Sequence, residues 1–251
     1  MSFLQPQIVE TAYWAIETPM GTEFIPADVA DFDGDPWDES AEAARPEFVD
    51  VFRDYLESDD IQSAERVDGF LWRLSAPGYL DCTDWSPAAS VTEAIRDMLG
   101  MYGDGFDLED YQSVASNLDG WDAFWQGYLL GLAFTGRQEG TPDAPYEEPI
   151  FSNPGSDIAE VVDTDELESN LSDEDRLELY GDALAFFLDA LPMLGTEYER
   201  AGSDFHLTRN GHGAGFWDGD WPEHGDKLTE LSKPYSLCEL TLGPNGYYLT
   251  H

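Results

Sequence analysis

The sequence predicts an α+β fold of amphipathic helices packed on small antiparallel sheets, and three observations carry that reading. Some segments place apolar residues at helical spacing, others show short apolar runs bounded by turn formers, and a 42% apolar content supplies material for a core. The 251 residues read as two α+β halves, 1–118 and 119–251, or as one compact domain built from both.

Taken in order, residues 28–42 hold seven acidic side chains and are broken by Gly34 and Pro36, which predicts an exposed loop. A helix is expected over residues 48–56, where Phe48, Val51, Phe52, Tyr55 and Leu56 share a face. The run GFLWRLSAPGYLDCTDW reads as two strands joined at Pro77-Gly78. In SPAASVTEAIRDMLG, Ser86 is the expected helix cap with Pro87 in the first turn. Val91, Ile95, Met98 and Leu99 form the stripe, and Gly100 or Gly103 the end.

From Trp121, WDAFWQGYLLGLAF is apolar around most of its circumference, which predicts a helix buried between layers. Residues 138–175 carry 13 acidic side chains, no Lys or Arg, and four prolines, as expected of a long irregular connection. Ser172 with Asp175 then caps a helix whose inner face is Leu177, Tyr180, Leu184, Phe187, Leu188 and Leu191, and Pro192 ends or kinks it.

The last fifty residues read as a sheet with one helix. Residues 205–208 and 215–218 are expected as adjacent antiparallel strands, joined through residues 210–213 with a positive φ. Phe216 or Trp217 would pack on the helix that carries Leu184 and Leu188. A helix over residues 226–231 and a hairpin turning at Asn245-Gly246 complete the chain. FLWRLSAPGYLDCTDW from Phe70 and FHLTRNGHGAGFWDGDW from Phe205 share a pattern that suggests a diverged internal duplication.

Charge is the strongest compositional signal. Fifty-three acidic residues face 11 basic ones, a formal charge of -42, and Lys227 and Lys233 are the only lysines. Such a surface repels nucleic acids and anionic membranes and attracts basic proteins. Three explanations fit: adaptation to high salt, where screening is strong; capture of a basic partner, sharpest as mimicry of DNA phosphates; or a soluble surface with no further role.

With two cysteines, no signal-peptide pattern at the N-terminus and no apolar run long enough to cross a bilayer, the chain reads as cytoplasmic. No metal or other cofactor is expected: His206, His212 and His224 are not spaced to share a face, and no P-loop, dinucleotide, G-x-S-x-G or HExxH signature occurs.

The segment DFHLTRNGHGAGFWDGDW, residues 204–221, concentrates the chemistry. His212 between two glycines could serve as a general base, with Asp218 as its orienting acid and Arg209 as an anion clamp, in a small hydrolase or transferase. The same stretch equally describes a tight turn whose imidazole makes a local hydrogen bond. Phe216, Trp217 and Trp221 read as core; two of them exposed beside Asp218 and Asp220 would instead make an aromatic, acid-rimmed binding surface. Asp31, Asp33, Asp35, Asp163, Asp165 and Glu166 are further binding-surface candidates.

LTRNGHGAGFWD at residues 207–218, followed by GDKLTE at 225–230 and a terminal Gly-turn hairpin, resembles a segment of small acidic proteins of tailed bacteriophages. The resemblance covers mainly residues 204–251. It implies a viral protein acting in the host cytoplasm, and no particular reaction. The leading expectation is therefore a non-enzymatic phage protein that binds a basic host or defence-system protein, such as a nucleic-acid-binding one, by DNA mimicry in its sharpest form. The alternatives are the His212 enzyme and a virion or scaffolding component, which would have to self-associate against its own charge.

Overall fold

The computed structural model describes residues 5–26, 61–75, 83–140, 148–150 and 162–251. The chain forms two compact units, residues 1–117 and 118–251. The fold is α+β, with helices packed against two small sheets. The helix expected over residues 48–56, the acidic loop at 28–42 and the Pro77-Gly78 turn lie outside the described residues.

In the first unit, β1 (Gln5–Thr18), β2 (Gly21–Pro26), β3 (Ser63–Ser75) and β4 (Ser86–Ala88) make an antiparallel sheet in the order β2-β1-β3-β4. β1 is paired on both sides, Tyr13 facing Pro26 on one and Val67 on the other. Its hairpin with β2 is locked by Thr18, whose Oγ1 accepts from the Met20 N–H and donates to the Gly21 carbonyl. Ile16, Leu71, Trp72 and Leu74 are buried, as are Ala94, Ile95 and Met98 of α1 (Val91–Tyr102) and Val114 and Ala115 of α2 (Leu108–Ala115).

Ser86 is not the cap of α1. It pairs with Trp72 in β4, and Ser90 caps the helix by accepting from the Glu93 N–H at 3.1 Å. Pro87 therefore sits in a short edge strand, where its missing N–H costs no ladder bond. Gly103, as expected, is the C-cap, whereas Gly100, also expected at the end, lies within the helix.

The second unit is built on α3 (Trp121–Thr135), the helix apolar on nearly all sides, which buries ten of its fifteen residues. It is followed by β5 (Arg137–Gln138), β6 (Glu148–Pro149), α4 (Thr164–Ser169), α5 (Asp173–Leu194), α6 (Tyr198–Arg209), α7 (Gly225–Ser232), β7 (Glu239–Gly243) and β8 (Gly246–Thr250). The sheet order is β6-β5-β7-β8, and the β5–β7 pairing is parallel. Ser172 and Asp175 cap α5 reciprocally: the Ser172 Oγ accepts from the Asp175 N–H and donates to its carboxylate. Pro192 lies inside α5, which continues to Leu194.

Helices α3 and α6 touch backbone to backbone. A Cβ on Gly127 would lie 1.7 Å from the Glu199 carbonyl oxygen, and one on Gly202 2.0 Å from that of Phe124, so glycine is required on both sides. Phe205 from α6 stacks on Phe186 from α5 at 4.0 Å, and Tyr128 and Phe124 of α3 flank the pair. This aromatic stack is the centre of the unit's core.

Residues 205–208 are thus helix rather than strand, and residues 215–218 form turns. The run FHLT is a full turn of a helix whose buried positions are Ala201, Gly202, Asp204, Phe205, His206 and Arg209, a set in which small and polar residues hide the helical period. The proposed duplication pairs Phe70–Ser75, a strand, with Phe205–Arg209, a helix, so likeness of residue pattern there does not carry likeness of structure.

Candidate functional site

Residues 204–221 begin as the last turn and a half of α6, and the glycines explain how that helix stops. Gly211 takes φ +67, the Gly211 N–H donates to the Thr208 carbonyl at 3.1 Å, and the His212 N–H donates to Leu207 at 2.9 Å. That pair of bonds is a Schellman C-cap, with Gly211 as the residue that must be left-handed. Gly213 has no positive φ, and a Cβ on it would meet nothing within 4 Å.

The chain then turns through Gly215, at φ +141, so that the Phe216 N–H reaches Thr208 Oγ1 at 3.0 Å. Phe216 is buried against Phe186, 5.6 Å between ring centroids, which meets the expectation that it packs on α5. The Asp218 carboxylate accepts from the N–H groups of Gly215 and Asp220, closing the turn. Trp221 is buried, and its Nε1–H donates to Asp204 Oδ2 at 2.7 Å. Trp217 alone of the three aromatics is exposed, at 52%.

Behind this loop lies a buried polar network. The Arg209 side chain is fully covered: Nε donates to the Ser236 carbonyl, one terminal nitrogen to the Tyr128 hydroxyl at 2.8 Å, and the other to Asp182 at 2.6 Å. Burial opposes the guanidinium charge, yet Tyr128, Asp182 and Cys238 around it raise its pKa on balance. Arg209 therefore ties α6 to α3, α5 and the segment before β7, and its buried side chain is not open to an external anion.

His206 is completely buried, with Nε2 2.7 Å from Thr135 Oγ1 and the Asn210 amide 3.3 Å away. Burial, with His212 and Arg209 nearby, holds it well below the ordinary histidine range, so it stays neutral. Asn210 makes two bonds to the backbone of Cys238, at 3.0 and 2.7 Å, and so pins α6 to the last hairpin. Burial also pushes the Cys238 thiol up to about 12, which denies it thiolate chemistry at neutral pH. Asp204 is raised chiefly by burial, opposed by Trp221 and Arg200.

His212 stacks near His206, and the carboxylate it meets is Glu239, Nε2 to Oε1 3.8 Å. Asp218 is occupied by its own turn and Arg209 by Asp182, so the hydrogen bonds and ion pairs join none of the three catalytic candidates to another. A groove of about 490 Å³ is lined by Ala123, Thr196, Glu197, Tyr198, Glu199, Arg200 and Ser203, and contains none of them.

Among the binding-surface candidates, Asp31, Asp33 and Asp35 lie outside the described residues. Asp163 caps α4 by accepting from the N–H groups of Asp165 and Glu166, and all three are exposed. Asp220 is exposed and paired with Arg200. Trp221 belongs to the core, held there by Asp204. Among the described residues no group of three or more His, Cys, Asp or Glu could hold a metal ion, and no helix is long and apolar enough to cross a membrane.

Sequence reasoning weighed His206 only as a metal ligand and Asn210 only as a turn residue, and it missed Thr135 and Asp182. Comparison with family models, with curated proteins and with solved structures gives no match.

Proposed function

We propose that this chain acts without catalysis, as an acidic protein that captures a basic surface on a partner protein, in the manner expected from its resemblance to phage proteins. One observation carries the reading: in the second unit, four of the six Lys and Arg side chains are already paired with carboxylates of the same unit. Arg176 pairs with Asp173, Arg200 with Asp204 and Asp220, Arg209 with Asp182, and Lys233 with Glu230. Most carboxylates among the described residues of this unit are exposed to solvent, where they attract cations and repel nucleic acid.

The sharp form of this reading is competition with DNA. A labelled duplex bound to a basic, sequence-independent DNA-binding protein is titrated with the chain and followed by fluorescence anisotropy. The expected result is displacement of the duplex at low salt, weakening steeply as salt is added, because counterion release drives both complexes. Retention of the duplex at low salt under a large excess of this protein would overturn mimicry of DNA.

A further inference from the structure

An exposed aromatic side chain is ordinary by itself; Trp217 differs in how it is held out. Phe216 immediately before it and Trp221 four residues after it are buried and in edge-to-face contact at 5.5 Å. Gly215 and Gly219 take φ values of +141 and +103, and the Asp218 carboxylate bonds the N–H groups on both sides of the turn. The Phe216 N–H is tied to Thr208 of α6. Among the described residues, the Trp217 indole itself makes no ring contact or hydrogen bond.

The turn is therefore fixed in advance, and a ligand that meets the indole has little loop entropy left to lose on binding. Around it in the chain stand exposed Asp218, Asp220, Glu223 and Asp226, with no Lys or Arg between Trp217 and Lys227. A π face in an acidic surround favours a cation that can also accept carboxylate bonds. A guanidinium does both, stacking flat on an indole while its edge donates to carboxylates, whereas an ammonium is more strongly hydrated.

We propose that the Trp217 turn is the anchor of an interaction surface for an arginine-bearing basic segment of a partner protein, the indole face taking a guanidinium and the neighbouring carboxylates its donors. This rests on the basic-partner reading above and names the place and the side chain that it uses. Arg200, already paired with Asp220 beside the turn, gives way to or shares its carboxylate with the incoming arginine.

The test uses the full chain, an oligo-arginine peptide and an oligo-lysine peptide of equal length, with binding measured at several salt concentrations. Trp217→Ala is expected to weaken the arginine peptide by about three- to thirty-fold at unchanged net charge, with a smaller effect on the lysine peptide and an intermediate one for Trp217→Phe. The indole N–H resonance that disappears in Trp217→Ala is expected to move when wild-type protein is titrated, a readout independent of the variants' stability. If the arginine peptide binds wild type and Trp217→Ala equally and that resonance stays still, the anchor is wrong and the basic-partner reading stands. If neither peptide binds wild type at low salt, the basic-partner reading fails and the anchor with it.

Discussion

Adding one methyl group to Gly127 tests the packing on which the second unit rests. In Gly127→Ala the new Cβ would stand 1.7 Å from the Glu199 carbonyl oxygen and 2.6 Å from its carbon, both backbone atoms that cannot rotate away. The closest ordinary C···O approach is about 3.3 Å, so α3 and α6 must separate by more than ~1 Å. A gap of that size forfeits a large part of the dispersion energy along the contact, including the Phe205 stack on Phe124 and Tyr128. Overpacking of this kind costs about 1–3 kcal/mol and sometimes more. Loss of the bond from Ser203 Oγ to the Gly127 carbonyl adds about 1 kcal/mol. The better helix propensity of alanine returns about 1 kcal/mol. The net expectation is a loss of about 2 kcal/mol, or a fall of about 1 M in the urea midpoint for a slope near 2 kcal/mol/M. Gly213→Ala, which meets nothing within 4 Å, is the control and should leave the midpoint in place. The reasoning is refuted if Gly127→Ala unfolds at the wild-type midpoint.

Three more outcomes follow from the same unit, all read by urea denaturation at fixed ionic strength. Gly213→Val should be nearly neutral, whereas Gly215→Val should cost about 2–4 kcal/mol, because a Cβ there meets Thr208 Oγ1 at 2.3 Å at a backbone angle that suits glycine; equal midpoints would remove the turn from the argument. Arg209→Met should lose about 2–4 kcal/mol by stranding Asp182 and the Tyr128 hydroxyl, and a neutral result would mean that the network holds nothing together. His206 has its pKa depressed in the folded state, so its contribution is fully present above the unfolded value of about 6.5 and is lost as pH falls below that toward the folded pKa. Stability of His206→Gln relative to wild type should therefore improve as pH drops from 7 to 5, and a difference that does not change with pH would show that burial of the imidazole is not what the proton opposes.

The elements legible in the sequence are those whose signal is local. α3 announces itself by being apolar on all sides, and α5 by Ser172 with Asp175 ahead of an apolar stripe, because both cues act within a few residues. β1 carried no such cue: QPQIVETAYWAIET alternates poorly, and its strand character is fixed by pairing on both edges with partners up to seventy residues away. α6 was hidden for a different reason. Its buried face is Ala201, Gly202, Asp204, Phe205, His206 and Arg209, so the period is written in residues that are polar by type and buried only because α3, α5, Trp221 and the segment before β7 supply their hydrogen-bond partners.

The same asymmetry decides how the glycine stretch is understood. His212 drew notice because glycines flank it, and glycine next to histidine describes an exposed loop equally well with or without chemistry. In the structure the neighbouring glycines have separate duties: Gly211 ends a helix, Gly215 lets the chain pass Thr208, and Gly219 completes the turn that Asp218 closes. Each duty concerns the backbone, and each leaves a side chain placed as a consequence: Asn210 on Cys238, Phe216 on Phe186, Trp217 in solvent. Arg209, the one cation of the stretch, is drawn inward by Asp182. The exposed side chains of residues 217–226 thereby include the Trp217 indole and the carboxylates of Asp218, Asp220, Glu223 and Asp226.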